Sequence, residues 1–272
     1  MGSLLENRSR SLFLCYHSVA EEGPRYLTVG AELFERQLAK LEKRGLRTGG
    51  LDDLAAAAAG TARERLAFLT FDDGFVDNHD TVLPLLRARG ARAFCFVLPP
   101  LVDSGAPLAW PEVADWQREF PRTMRSVTWD MVGEMREGGF EIGSHTLTHP
   151  HLPKLDTERL REELSESRRR VIERLGSCDT IAYPFGEWTP AVAAAAADCG
   201  YRFAFTLPTT SGQRHADPLT IPRINVDYRD DGARFAAKLS RTGRRVFLSP
   251  RVHALRGSAK RAEARRRAES AQ

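Results

Sequence analysis

Two short stretches of this 272-residue chain hold side chains that could bind a metal ion and move a proton. One is Asp72-Asp73, within Thr-Phe-Asp-Asp-Gly; the other is His145-Thr-Leu-Thr-His149. Residues i and i+4 share a face on a helix and also on a strand, so either backbone would let two imidazoles meet one ion. Two histidines and a carboxylate from elsewhere make the open three-ligand site of a hydrolytic zinc centre, with room for a water whose pKa the ion lowers. The aspartate pair can supply that carboxylate and also a base, because neighbouring carboxylates at a strand end point in different directions. Taken singly, an H-x-x-x-H pair or a D-D-G turn is more often structural than catalytic; the weight lies in their joint placement.

Such groups act together only if the fold brings them together. Apolar, β-branched or aromatic runs at Ser11–Tyr16, Leu66–Phe71, 92–98, Phe140–Ser144, 180–183, 202–206 and 220–226 read as strands. Helical patterns lie between most of them: Phe34, Leu38 and Leu41 share a face before Gly45, and further patterns cover 82–89, 128–138 and an Ala-rich run from Pro190 to Gly200. The longest, Thr157–Leu175, places Leu160, Leu164, Val171, Ile172 and Leu175 on one stripe and stops at Gly176. This alternation predicts a parallel sheet covered by helices, and about seven repeats favour a closed α/β barrel, one domain over residues 11–240. In a barrel, chemistry gathers at the C-terminal strand ends. Asp72-Asp73, His145, Pro184-Phe185-Gly186 and His17 each follow such an end. Residues 101–126 show no clear period and contain Trp110, Trp116 and three prolines, so they read as a long loop near the site.

The formal net charge of +4 is unevenly spread. Residues 241–272 hold ten Lys/Arg against two acids, a net of +8, which leaves about −4 for the rest. A slightly acidic body has no basic stripe for a phosphate backbone, so nucleic acid is not an expected partner. The basic tail reads as a solvated extension, with contact to an anionic surface as the alternative, and residues 1–10 as a flexible N-terminus. No apolar run approaches the roughly 18 residues that span a bilayer. The five apolar residues 12–16 are too few for a signal-peptide core, so a cytoplasmic protein is the expectation. Cys15, Cys95, Cys178 and Cys199 show no C-x-x-C spacing and read as core thiols.

Thr70-Phe-Asp-Asp-Gly74 and Ser144-His-Thr-Leu-Thr-His-Pro150 resemble the two signature motifs of the polysaccharide deacetylase family, also called carbohydrate esterase family 4 or the NodB-homology domain. Similarity extends to Tyr16-His-Ser-Val19, Trp129-Asp-Met131, Gly139-Phe-Glu-Ile-Gly143, Ala182-Tyr-Pro-Phe-Gly186 and Pro222-Arg-Ile224, in the family's order. The resemblance implies a distorted (β/α)7 TIM-like barrel, hydrolysis of N-acetyl groups on a saccharide, and a divalent ion, zinc in first place with cobalt or nickel as alternatives. Carried over by position, it makes Asp72 the general base, Asp73, His145 and His149 the metal ligands, and the backbone N–H of Tyr183 an oxyanion donor.

Two positions depart from the family pattern. Ala182 stands where well-known members have the Arg that orients the base, and Arg223 is the candidate replacement. The C-terminal Leu-x-His that supplies the general acid has no counterpart, since only His253, in the tail, follows Val226. A permuted branch acting on poly-N-acetylglucosamine carries its acid in an N-terminal Tyr-His motif resembling Tyr16-His17, which makes His17 the acid here. His79 reads as a solvated or capping residue, and His151 as pointing elsewhere. Trp129, Trp188 and Tyr183 read as sugar platforms or simple packing. Two other functions compete: a deacylase of a small amide or ester using the same centre, and an inactive glycan-binding module. The presence of every ligand the chemistry needs argues against the second.

Overall fold

Strands covered on both faces read as unbroken apolar runs, and Leu66–Phe71 and Ala93–Val97 are buried at every residue. A computed structural model describes residues 11–208, 217–249 and 251. Its strands are β1 (Ser11–Tyr16), β2 (Ser18–Val19), β3 (Thr28–Val29), β4 (Arg47–Thr48), β5 (Leu66–Phe71), β6 (Ala93–Val97), β7 (Phe140–Ser144), β8 (Thr180–Ala182), β9 (Phe203–Thr206), β10 (Ile221–Pro222) and β11 (Ile224–Asn225). Its helices are α1 (Ala31–Lys43), α2 (Leu51–Ala58), α3 (Leu83–Arg87), α4 (Pro99–Ser104), α5 (Ala114–Glu119), α6 (Trp129–Glu137), α7 (Thr157–Leu175), α8 (Pro190–Asp198), α9 (Gly232–Leu239) and α10 (Arg241–Phe247).

The main sheet runs β10-β9-β8-β7-β6-β5-β1-β11, with β4 added on β5, and every ladder is parallel. Its two ends are one piece of chain. Only Arg223 separates β10 from β11, so a single extended stretch pairs with β9 at Ile221↔Phe205 and with β1 at Leu14↔Ile224. That crossing draws the sheet into the nearly closed, distorted (β/α)7 barrel of a single domain.

Alternation along the strands sorts side chains into two cores. Leu12, Leu14, Tyr16, Leu69 and Phe71 face outward onto helix residues such as Phe34 and Leu38 of α1. Phe13, Phe68, Phe94, Phe96 and Phe205 face inward with Leu54 and Ala57 of α2. Phe13 and Phe68 stack with centroids 4.8 Å apart. At roughly 1.5–3 kcal/mol per buried large apolar side chain, this aromatic fill is a dry floor, not a pore. One step further along the strands the inward positions turn polar: Cys15, Thr70, Arg223, and then the mouth.

α7 starts on Asp156, whose side chain accepts from the Arg159 N–H at 2.8 Å, and ends at Gly176 with φ 81°, a left-handed conformation that glycine adopts without steric cost. Residues 101–126 differ from the loop expected. They contain α5, the end of α4 and a 3-10 turn at Pro111–Val113, closed over a small core of Phe75, Leu98, Leu108, Trp110, Val113 and Met124. Prolines and the irregular spacing of these apolar residues hide so small a cluster from periodicity. In α10, at the start of the basic stretch, Phe247 lies against Arg234 and Lys238 of α9. Residues 1–10, 252–272 and, with them, His253 lie outside the described residues. No described helix is long and apolar enough to cross a membrane.

Candidate metal centre and active site

The two aspartates leave β5 in different directions for a backbone reason. The Asp72 N–H continues the ladder to the Tyr16 carbonyl at 3.0 Å, so its side chain keeps the inward alternation of Phe68 and Thr70. Asp73 takes a left-handed conformation, φ 71°, which turns its carboxylate away from that line.

The histidine motif is neither helix nor strand. Thr146 and His149 both have positive φ, 71° and 59°, and the tight loop they form makes the imidazoles converge, with ring centroids 4.9 Å apart. Left-handed non-glycine residues cost about 1–3 kcal/mol each, so something must hold them. Glu163 of α7 does so. Its buried carboxylate accepts from the N–H groups of Leu147 at 2.9 Å and Thr148 at 3.0 Å, and from the Thr148 hydroxyl at 2.6 Å. Ser144 Oγ accepts the Thr146 N–H at 3.0 Å.

Three acceptor atoms then face one another. His145 Nδ1 donates to the Ala182 carbonyl at 2.8 Å, so in the neutral imidazole Nε2 is a lone pair 3.2 Å from Asp73 Oδ1; burial lowers the His145 pKa, but Asp73 and Asp72 outweigh it and hold it above the usual value. His149 Nε2 is 3.5 Å from the same oxygen. Asp73 Oδ1 is buried and has no hydrogen-bond donor. Burial costs a charge dearly unless it is compensated, and two imidazoles with a carboxylate, their ligand atoms within 4.8 Å of one another, match the donor set of a divalent-ion site. Burial lowers the His149 pKa to about 3, with Asp73 offsetting only part, so this imidazole is neutral at pH 7, the form that binds a cation.

Beside this cradle, Arg223 forks Asp72, Nη1 to Oδ1 at 2.6 Å and Nη2 to Oδ2 at 2.7 Å. The guanidinium is fully buried, gives Nη1 also to Thr70 Oγ1 at 2.9 Å, and lies over the rings of Phe96 and Phe205. Burial pushes the Asp72 pKa up, but Arg223 and His145 together outweigh it, and the carboxyl stays well below the usual range. His17 comes from the end of β1, with a ring nitrogen within 4.8 Å of Cys15 Sγ and an Asp72 oxygen. Burial lowers its pKa, against the pull of Asp73 and Asp72. Asn78 Nδ2 holds the His17 carbonyl at 2.8 Å, and Asp77 accepts from Ser18 Oγ at 2.7 Å and the Val19 N–H at 2.8 Å.

The Tyr183 assignment needs correction. Its N–H is spent in the sheet, donating to the Phe205 carbonyl at 3.0 Å, and its hydroxyl donates to the Leu219 carbonyl at 3.1 Å. Pro184 has no N–H, so the next donor is Phe185, a left-handed residue (φ 58°) whose N–H has no acceptor among the described residues. The Phe185 ring meets the His149 imidazole in a T-shaped contact with centroids 4.6 Å apart, and Trp110 stacks on that imidazole at 4.2 Å.

The remaining aromatic and histidine candidates do not touch Asp73, His145 or His149, although His151 borders the site through Phe185. Trp129 Nε1 donates to Asp103 at 2.7 Å with Arg174 over its ring, and Trp188 joins the outer core. His79 sits between Asp80 and Glu134, and His151 stacks on Phe185 while bonding Glu187 at 2.8 Å. Sequence reasoning missed Glu163 and Asn78, and it placed Phe185 and Trp110 near the site without giving either residue a role of its own. Glu163 did leave a signal: a carboxylate on the stripe of Leu160, Leu164 and Val171 that α7 buries.

The family model described as polysaccharide deacetylase matches residues 59–204, more than half of the chain. YxkH of Bacillus subtilis (strain 168), a protein assigned to the polysaccharide deacetylases, is 23% identical over 235 residues, covering 85% of this chain and 77% of its own. Among solved structures, Streptococcus pyogenes deacetylase PplD in complex with acetate superposes with a TM-score of 0.71 at 22% identity, covering 84% of this chain and 97% of that one. IcaB from Ammonifex degensii gives 0.66 at 24%, covering 84% and 96%. At these identities the likeness to the solved structures is one of fold. With the family match across both motifs, the chain belongs to the polysaccharide deacetylase family, the carbohydrate N-deacetylases.

Proposed function

We propose that this chain hydrolyses the N-acetyl group of an N-acetylated saccharide beside a divalent-ion site made by Asp73, His145 and His149, with Asp72 as base and His17 as acid. The observation that carries the reading is Asp73 Oδ1, a buried oxygen without a donor, with the Nε2 atoms of His145 and His149 3.2 and 3.5 Å away. A divalent ion there, zinc in first place and cobalt or nickel as alternatives, would polarise the acetyl carbonyl and favour water as a nucleophile at neutral pH.

The chain's own groups do the rest. Asp72, held ionised and oriented by Arg223, takes a proton from the attacking water as the new C–O bond forms. The Phe185 N–H, left without an acceptor, faces the developing oxyanion as a preorganised donor. The proton passes from Asp72 towards the imidazole of His17. Because burial lowers the His17 pKa, its imidazolium is a strong acid and releases the proton to the leaving nitrogen as the C–N bond breaks. Acetic acid and a free amine result, the acid's proton passing to the amine to give acetate and ammonium at neutral pH, and both residues return to their starting state.

Acetate release from N-acetylated mono-, oligo- and lipid-linked sugars, alongside simple acetyl amides and esters, tests the substrate class. Asp72→Asn should lower turnover by about 100-fold or more with metal content unchanged. His17→Ala should lower turnover and retain metal. Wild-type protein without bound metal, or Asp72→Asn at full activity, would sink the mechanism; an ester-only profile would move the chain to the small-substrate alternative.

A further inference from the structure

We propose that Cys15 is a second positioning residue for Asp72: its thiol donates to Oδ2 and, with the Arg223 fork, leaves one lone pair on Oδ1 as the free proton-accepting position. The proposal rests on the reading of Asp72 as the base.

An ionised carboxylate offers about four acceptor positions. Arg223 fills one on each oxygen, at 2.6 Å on Oδ1 and 2.7 Å on Oδ2. Cys15 Sγ lies 3.4 Å from Oδ2, within reach for a sulfur donor. The other acceptor near the thiol, the Tyr16 carbonyl, is farther away at 3.9 Å and uncharged, so the carboxylate wins the proton of the S–H group. Oδ2 is thus doubly bonded from the floor of the barrel, while Oδ1 carries one donor only.

The placement follows from the fold. Cys15 is fully buried on β1, facing inward in the alternation of Phe13, Cys15 and His17, and is paired in register with Thr70. Thr70 is the residue whose hydroxyl receives Arg223 Nη1. Three neighbouring pieces of chain, β1, β5 and the β10-β11 crossing, therefore form one polar layer beneath the base and above the aromatic floor. The donor direction is fixed as well. Burial pushes the Cys15 thiol well above its ordinary pKa against the pull of Arg223, so sulfur keeps its proton, and the Arg223 fork on both oxygens marks Asp72 as the acceptor. A buried cysteine acting as a small hydrophobe would need no such alignment with a charged oxygen.

The test uses the full chain with its metal. In the infrared, the S–H band that Cys15→Ala removes should shift to higher frequency in Asp72→Asn, as its charged acceptor becomes neutral. In kinetics, Cys15→Ala should lower kcat about five-fold, the effect of losing one modest hydrogen bond, with KM unchanged. Cys15→Ser, which restores a donor, should recover most of that loss. An S–H band indifferent to Asp72→Asn, an unchanged kcat in Cys15→Ala, or a folded Cys15→Ser as slow as Cys15→Ala would overturn the proposal. If Cys15→Ala does not fold, the infrared comparison still decides, with Cys15→Ser identifying the band. Asp72→Asn at full activity would instead remove the base reading itself.

Discussion

Removing Arg223 should expose how much of the barrel's stability is tied to one ion pair. The guanidinium is fully buried and Asp72 nearly so, and the two make paired bonds of 2.6 and 2.7 Å. Arg223→Met keeps an apolar stem over Phe96 and Phe205 but leaves a buried carboxylate without its partner, which costs about 3–5 kcal/mol. Against a total stability of about 5–15 kcal/mol, that is a large fraction. Asp72→Asn alone strands the guanidinium and should cost a comparable amount. The double variant buries neither charge, so it should be no less stable than either single variant, giving a coupling energy of at least about 3 kcal/mol. Urea unfolding followed by circular dichroism, with chelator present so that metal binding does not contribute, measures all four proteins. The pH dependence gives a second reading. In the wild type, the depressed Asp72 carboxyl contributes stability that is fully present above about pH 4, the unfolded value, and is lost as pH falls through the lower native value. In Arg223→Met, burial acts unopposed by the guanidinium and raises that carboxyl, so the variant should gain on the wild type as pH falls towards about 4. Single-variant costs that simply add, to within about 0.5 kcal/mol, would refute the coupling.

Two further expectations follow from the loops around the site. Glu163→Ala frees the Leu147 and Thr148 N–H groups that hold the histidine loop, so metal affinity by chelator competition should weaken about 10–100-fold, and an unchanged affinity in a folded variant would contradict the clamp. Burial raises the Asp77 carboxyl to about 6, despite bonds from Val19, Ser18 and Asn78. A raised carboxyl contributes most when protonated, so the wild type should gain up to about 3 kcal/mol on Asp77→Asn as pH falls from about 7 to 4, and a flat difference would show that Asp77 is not perturbed.

How far the site could be read in advance depended on distance along the chain. Asp72, Asp73, His145 and His149 stand in compact motifs at strand ends, and strand ends follow from hydropathy. The convergence of His145 and His149 came from another cause than the shared face expected for a helix or strand: left-handed turns at Thr146 and His149, held by a carboxylate 14 residues beyond His149. The Tyr183 N–H expected as an oxyanion donor is consumed by ladder hydrogen bonding set by the neighbouring strand, which is why the proposed donor is Phe185.

What the sequence by itself determined was the alternation of strand and helix, the barrel it implies and the order of polar residues at the strand ends, because hydrophobic period and short motifs are local. Arg223 was already a candidate from the family resemblance, but tertiary structure decided how it reaches the base: the stretch around it pairs with β9 and then with β1, carrying the guanidinium across the barrel to Asp72, 151 residues away. It also decided that Cys15, read as an ordinary core thiol, lies beneath the same carboxylate. Strand pairing and side-chain contact inside a closed sheet depend on which edges meet, and no local pattern of residues records that.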